Sequence, residues 1–163
     1  MLRAMNAALT GPRPALLLLL ASAAALAAAF VAQYGFDLHP CVLCLYQRWP
    51  YGVAIALAVV ALALPRYRRW LLTLIGLVLL VDAGIAGFHV GVEQLWWEGT
   101  AECTGAPIGS AASLEELRKQ IMAAPVVRCD QVAWSLFGIS MAGWNLVACL
   151  VLAGFAFVAA RRA

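Results

Sequence analysis

Four stretches of this chain are too apolar and too free of charge to coat a water-soluble globule. Ala15–Ala32 runs 18 residues without a charged side chain, and Trp49–Leu64 runs 16. Trp70–Val92 spans 23 residues interrupted only by Asp82 and His89, and Val132–Ala160 spans 29 with no charge at all. A helix needs roughly 20 residues to cross about 30 Å of hydrocarbon. The second run reaches that length when extended back to Cys44, which gives 21 residues with Arg48 near one end. These lengths predict an all-α membrane protein, a four-transmembrane-helix bundle in the lipid bilayer with spans near 14–33, 44–64, 70–92 and 134–160. With no repeat, linker or low-complexity tail, residues 1–163 read as one integral membrane domain. The first run follows Arg3 and Arg13 in the manner of a secretory signal, but it outlasts the roughly 7–15 residues of a signal core and is expected to be retained.

Basic residues orient the bundle. Arg3, Arg13, Arg66, Arg68, Arg69, Arg161 and Arg162 are seven of the 11 basic residues, and no acid shares their segments. Arg48, Arg118, Lys119 and Arg128 fall on the other side with seven of the eight acids. The positive-inside rule then predicts cytoplasmic termini and outer loops at 34–43 and 93–133. The net charge of +3 follows from this layout and points to no nucleic-acid partner.

The outer loops hold Cys41, Cys44, Cys103 and Cys129. A C-x-x-C pair can form a disulfide, act as a dithiol or ligate a metal. On a helix Cys41 and Cys44 share a face, and Arg48 lies one turn beyond Cys44. A nearby guanidinium favours a thiolate over a thiol, which suits redox chemistry. Four outward thiols are also enough for an all-cysteine zinc site, but the second pair lacks the short spacing and an oxidising compartment favours disulfides. Haem attachment would need histidine where Leu45 stands. Four cysteines allow three pairings; adjacency favours Cys41 with Cys44 and Cys103 with Cys129. Cys149, within the fourth apolar run, reads as a small core hydrophobe.

Asp82, His89 and Glu93 recur at i, i+7 and i+11, one stripe with Ala86 that is expected to face the bundle interior, because ionisable groups in lipid are costly. Gly84, Gly87 and Gly91 lie on another edge, where close helix approach is expected. In the second outer loop Ser113-Leu-Glu-Glu116 is a capping box. Leu114, Leu117 and Ile121 then share one face of a short surface helix. Trp49, Trp96, Trp97 and Trp134 suit an interfacial belt.

His39-Pro-Cys-Val-Leu-Cys-Leu-Tyr-Gln-Arg48-Trp-Pro-Tyr51 resembles the first outer loop of the disulfide bond formation protein B (DsbB) family. The resemblance continues through His89-Val-Gly-Val-Glu93 and Cys103, and ends in Cys129-Asp130 and Trp134-Ser-Leu-Phe-Gly-Ile-Ser-Met-Ala-Gly-Trp-Asn145. It implies a bacterial inner-membrane thiol oxidase that reoxidises a periplasmic DsbA-type thioredoxin-fold oxidase and passes electrons to ubiquinone or menaquinone. By position, Cys103 would receive the partner's thiolate, Cys129 would be released and exchange with Cys41, and Cys44 would become the thiolate beside the quinone, stabilised by Arg48. His89 and Glu93 would border that cofactor. A disulfide that turns over also implies exposure or strain at Cys103. Asp82 and Cys149 match nothing in the family pattern. Two rivals remain: a vitamin-K-epoxide-reductase-like oxidoreductase, whose C-x-x-C belongs later in the bundle, and a non-catalytic module stapled by disulfides or binding metal.

Overall fold

The computed structural model describes residues 11–104, 113–123 and 127–163. Four helical segments are long and apolar enough to cross a membrane, as the composition predicts: Arg13–Gly35, Val42–Ala63, Pro65–Glu93 and Met141–Ala160. In chain order we name the helices α1 (Arg13–Gly35), α2 (Val42–Tyr46), α3 (Arg48–Ala63), α4 (Arg68–Glu93), α5 (Ala101–Thr104), α6 (Leu114–Ala123) and α7 (Met141–Ala160). The second span is α2 and α3 together, interrupted at Gln47. Pro50 accounts for the break, since it has no N–H for the Tyr46 carbonyl and its ring crowds that oxygen.

α1 packs on α3, α3 on α4, and α4 most extensively on α7. Small residues line these seams: Ala54, Ala58 and Ala61 on α3, and Ala153, Ala156 and Ala159 on α7, all buried. In lipid, helices associate through close packing, which small side chains permit. Leu72, Ile75 and Leu79 of α4 fill the centre, while Leu20, Val81 and Val151 point outward. The glycine expectation is only partly met. Gly91 lies against the Trp97 indole and Gly87 touches Leu146 at the limit of contact, but Gly84 faces open space. Gly76, which the pattern did not single out, receives the Phe157 ring instead.

The fourth span starts later than its apolar run. Ser135–Leu136 (β1) and Ile139–Ser140 (β2) pair antiparallel around a two-residue turn. Phe137 and Gly138 both have positive φ, 53° and 77°, as a tight hairpin with the right twist requires. Ser140 then caps α7, its side chain accepting the Gly143 N–H at 3.1 Å. α4 ends in a Schellman turn: Trp96 N–H bonds Gly91 O at 2.9 Å and Leu95 N–H bonds Val92 O at 3.1 Å. Leu95 takes the left-handed position, φ 58°.

α6 forms as the capping box predicts, with Glu116 N–H on Ser113 Oγ at 3.2 Å. Leu114 is exposed; the side chains of Leu117 and Ile121, like residue Arg3, lie outside what is described.

Candidate redox site

Cys41 sits where extended chain enters a helix. Its φ and ψ are −73° and 173°, and its sulfur takes the place of a capping oxygen, accepting the Cys44 N–H at 3.3 Å. The Cys44 sulfur lies 2.9 Å from the Cys41 sulfur, and both are free cysteines. From α4, His89 Nε2 approaches Cys41 Sγ to 3.6 Å. The hydrogen bond shared with the Cys44 sulfur, then His89 and the Cys44 backbone N–H, hold the Cys41 thiol well below its ordinary range despite its burial. A helix N-terminus and a histidine are the surroundings that lower thiol pKa values generally.

The stripe on α4 is brought together as expected. Asp82, Ala86 and His89 are buried. Glu93 Oε1 is 3.8 Å from His89 Nε2, with both side chains at or below 5% exposure. The Ser140 hydroxyl donates to Glu93, tying the end of α4 to the start of α7. His89 and Glu93 therefore stand behind Cys41, away from the lipid face.

Cys103 and Cys129 form a disulfide. With Cys41, Leu43 and Val92 they make one buried cluster at this end of the bundle. Exposure at Cys103 is not observed, because α5 turns the sulfur inward and it is 0% exposed. α5 is held by Tyr46 O–H donating to Glu102 Oε2 at 3.2 Å. Arg128 grips Asp130 through two bonds, of 2.9 and 2.6 Å, beside Cys129.

Arg48 is turned towards α1. Its Nη1 donates to Gln33 Oε1 at 2.7 Å, and its guanidinium lies 5.0 Å from the Phe30 ring centroid. Neither of these contacts is with Cys44. The surface around it is apolar and exposed: Phe30, Leu45, Tyr46 and Trp49, next to a half-buried Cys44.

Sequence reasoning missed a buried polar chain. His89 Nδ1 meets Gln47 Nε2 at 3.0 Å, and Gln47 Oε1 accepts from Asn145 Nδ2 at 2.8 Å. Tyr51 O–H donates to Asn145 Oδ1 at 2.6 Å. Cys149 Sγ lies 3.3 Å from Tyr51 Oη and 3.2 Å from Asp82 Oδ2. Cys149 is thus buried in the core as expected, and it also makes polar contacts there that its sequence neighbours do not announce. The one legible signal was the polar character of Gln47, Tyr51 and Asn145 at or inside span ends.

A multi-pass bundle carrying one joined and one free cysteine pair in a single cluster defines an integral membrane thiol–disulfide protein. The comparisons agree. The family profile "Disulfide bond formation protein DsbB" matches residues 12–159. The chain is 33% identical over 137 residues to a disulfide bond formation protein B of Shewanella frigidimarina, covering 81% of this chain and 79% of that one. It is 28% identical over 123 residues to that of Mannheimia succiniciproducens, covering 71% and 66%. It is 30% identical over 133 residues to an uncharacterised protein of Rickettsia prowazekii, covering 81% and 77%. No solved structure matches. The chain belongs to the DsbB family, which implies disulfide oxidoreductase activity.

Proposed function

We propose that this protein oxidises a DsbA-type dithiol partner by disulfide exchange and delivers the electrons to a membrane quinone. The observation that carries the reading is the single buried cluster in which a Cys103–Cys129 disulfide adjoins the free Cys41 and Cys44. Thiol exchange proceeds by thiolate attack on a disulfide sulfur. The partner's first thiolate bonds to Cys103, the Cys103–Cys129 bond breaks, and Cys129 leaves as a thiolate. The partner's second thiolate then displaces Cys103, which completes the partner's disulfide. With Cys41–Cys44 oxidised, Cys129 attacks Cys41 and Cys44 leaves as a thiolate. Cys103 resolves the new bond, so the electron pair comes to rest on Cys41 and Cys44.

The residues around Cys44 fit an apolar ring with polar oxygens. Arg48 supplies a cation at the outer end of α1 and α3, among the exposed faces of Phe30, Leu45 and Trp49. Ubiquinone or menaquinone held there supplies a two-electron, two-proton acceptor. Arg48 stabilises negative charge near Cys44, and His89, with Glu93 behind it, acts on Cys41. In this reading the cysteine end faces the periplasm and the arginine-rich end the cytoplasm, in a bacterial inner membrane.

The test is quinone absorbance in detergent, with reduced partner added. Wild-type protein should consume quinone. Cys103→Ser should abolish partner oxidation yet leave Cys41 and Cys44 oxidisable by quinone. Cys41 Sγ, Cys44 Sγ and a His89 nitrogen also lie within 4.8 Å of one another, a spacing a metal ion can bridge. Stoichiometric zinc in the purified protein, with no quinone consumed, would overturn the redox reading.

A further inference from the structure

The four outward sulfurs do not converge on one point. Cys103 and Cys129 are joined to each other, which removes both as metal ligands. What meets Cys41 and Cys44 is a residue from another helix, His89 of α4. Cys41 Sγ, Cys44 Sγ and a His89 ring nitrogen lie within 4.8 Å of one another, with Cys41 and His89 buried and Cys44 half-buried.

A zinc ion would need little movement to fit. Zn–S bonds of about 2.3 Å and a Zn–N bond of about 2.0–2.1 Å, at tetrahedral angles, set two sulfurs about 3.7 Å apart and sulfur from nitrogen about 3.5 Å. Cys41 Sγ and His89 Nε2 already stand 3.6 Å apart. The two sulfurs are 2.9 Å apart, so they must separate by about 0.8 Å, a small rotation for the half-buried Cys44. The surroundings suit a cation as well. A metal-bound histidine gives its other N–H to an acceptor, and His89 Nδ1 faces the Gln47 side-chain amide at 3.0 Å, a group with an acceptor as well as donors. Ser140 holds Oε2 of Glu93, which leaves Oε1 3.8 Å from His89 Nε2. A carboxylate therefore stands beside the place a cation would take.

We propose that reduced Cys41 and Cys44, together with His89 Nε2, form a redox-gated site for zinc. Each sulfur binds as a thiolate, so capture releases to water whatever protons the two thiols hold, and no electron moves. His89 binds with Nε2 bare and its hydrogen on Nδ1. Three protein ligands leave the fourth tetrahedral position to water. When Cys41 and Cys44 join as a disulfide, both anionic ligands are lost and the ion leaves. While the ion is bound, neither sulfur can pass its electrons on, so zinc arrests the protein in its reduced state.

The proposal rests on reading Cys41 and Cys44 as a pair that cycles between dithiol and disulfide, but binding is measured with neither quinone nor partner present. Full-length protein in detergent is reduced, freed of reductant and titrated with cobalt as a spectroscopic stand-in for zinc. One equivalent should give thiolate-to-metal charge-transfer absorption and the strong visible bands of tetrahedral cobalt, and zinc should displace it. X-ray absorption of the zinc form should show two sulfurs at about 2.3 Å and one imidazole nitrogen at about 2.0–2.1 Å. Protein reoxidised with a soluble disulfide should show no such bands. Cys103→Ser should bind as the wild type does, whereas Cys44→Ser and His89→Ala should bind more than about tenfold more weakly. Absence of the cobalt bands, a shell of four sulfurs or one without imidazole, equal binding by oxidised protein, or binding lost in Cys103→Ser would each overturn it. Quinone turnover by metal-free protein without zinc capture would sink this proposal alone, and capture without turnover would sink only the function proposed above.

Discussion

Adding one methyl group at Gly91 should destabilise the redox end, and removing a neighbour should reverse the sign. A Cβ built on Gly91 falls 1.9 Å from Trp97 Cζ2 and 2.2 Å from Cε2. The indole must retreat by roughly 1.5–2 Å to restore ordinary carbon contacts of about 3.5–4 Å. It is not free to do so. Its Nε1–H donates to Phe88 O at 3.0 Å, and its ring stacks on Phe88 with centroids 5.9 Å apart. Losing the hydrogen bond costs about 1 kcal/mol, and losing the stack about 0.5–1.5 kcal/mol. Alanine recovers about 1 kcal/mol of helix propensity over glycine. Gly91→Ala should therefore destabilise by roughly 0.5–1.5 kcal/mol, read as a lower midpoint of thermal or denaturant unfolding in detergent. In a Trp97→Ala background the collision is gone, and the same change should stabilise by about 1 kcal/mol. A stabilising Gly91→Ala in the presence of Trp97 would refute the reasoning.

Four other outcomes are expected. Because the Cys41 thiol is held low, its thiolate persists as pH falls from the ordinary thiol range and is lost only when pH drops through the lowered value. Alkylation of Cys41 should thus stay fast at neutral pH, whereas a rate rising only above about pH 8.5 would contradict the assignment. Tyr46→Phe removes the bond that holds α5 at Glu102, and reduction of the Cys103–Cys129 disulfide by added dithiol should quicken about two- to fivefold if local opening limits it. Arg48→Met should raise the quinone concentration needed for half-maximal turnover, and Arg48→Lys should retain part of the activity because the charge survives without the planar fork. Leu95→Gly should raise the unfolding midpoint, since the left-handed position costs a non-glycine residue about 1–2 kcal/mol.

The spans were legible because composition alone excludes water around them, and the stripe of Asp82, His89 and Glu93 was legible because helical spacing is local. What local spacing cannot reveal is which distant residue a side chain meets. Arg48 follows Cys44 by one turn, yet Gln33 and Phe30 of α1 draw its guanidinium away. Cys149 has apolar sequence neighbours, while its spatial neighbours are Asp82 and Tyr51 from two other helices. The start of the fourth span failed for a different reason. An apolar run sets where a helix can lie, but Phe137-Gly138 supplies a turn and Ser140 a cap, so α7 begins only at Met141. The pairing of Cys103 with Cys129 agreed with adjacency. Its depth depended on how α5 folds back, which no pattern in the chain announces.

The unequal lengths of the helices have one further consequence. α7, with 20 residues, is about 30 Å long, and α4, with 26, is about 39 Å. A hydrocarbon layer of about 30 Å is matched by the first and overrun by the second. The surplus of α4 is some two turns, and one end of the helix carries His89 and Glu93. Beside that end lie α2, the buried cysteine cluster and the hairpin before α7, the last tied to it through Ser140 and Glu93. Part of α4 must therefore stand in the headgroup layer, neither bulk water nor oil. In the function proposed above, that layer is where a water-borne partner would meet the cysteines from above and a lipid-soluble quinone from the side, neither entering the other's solvent.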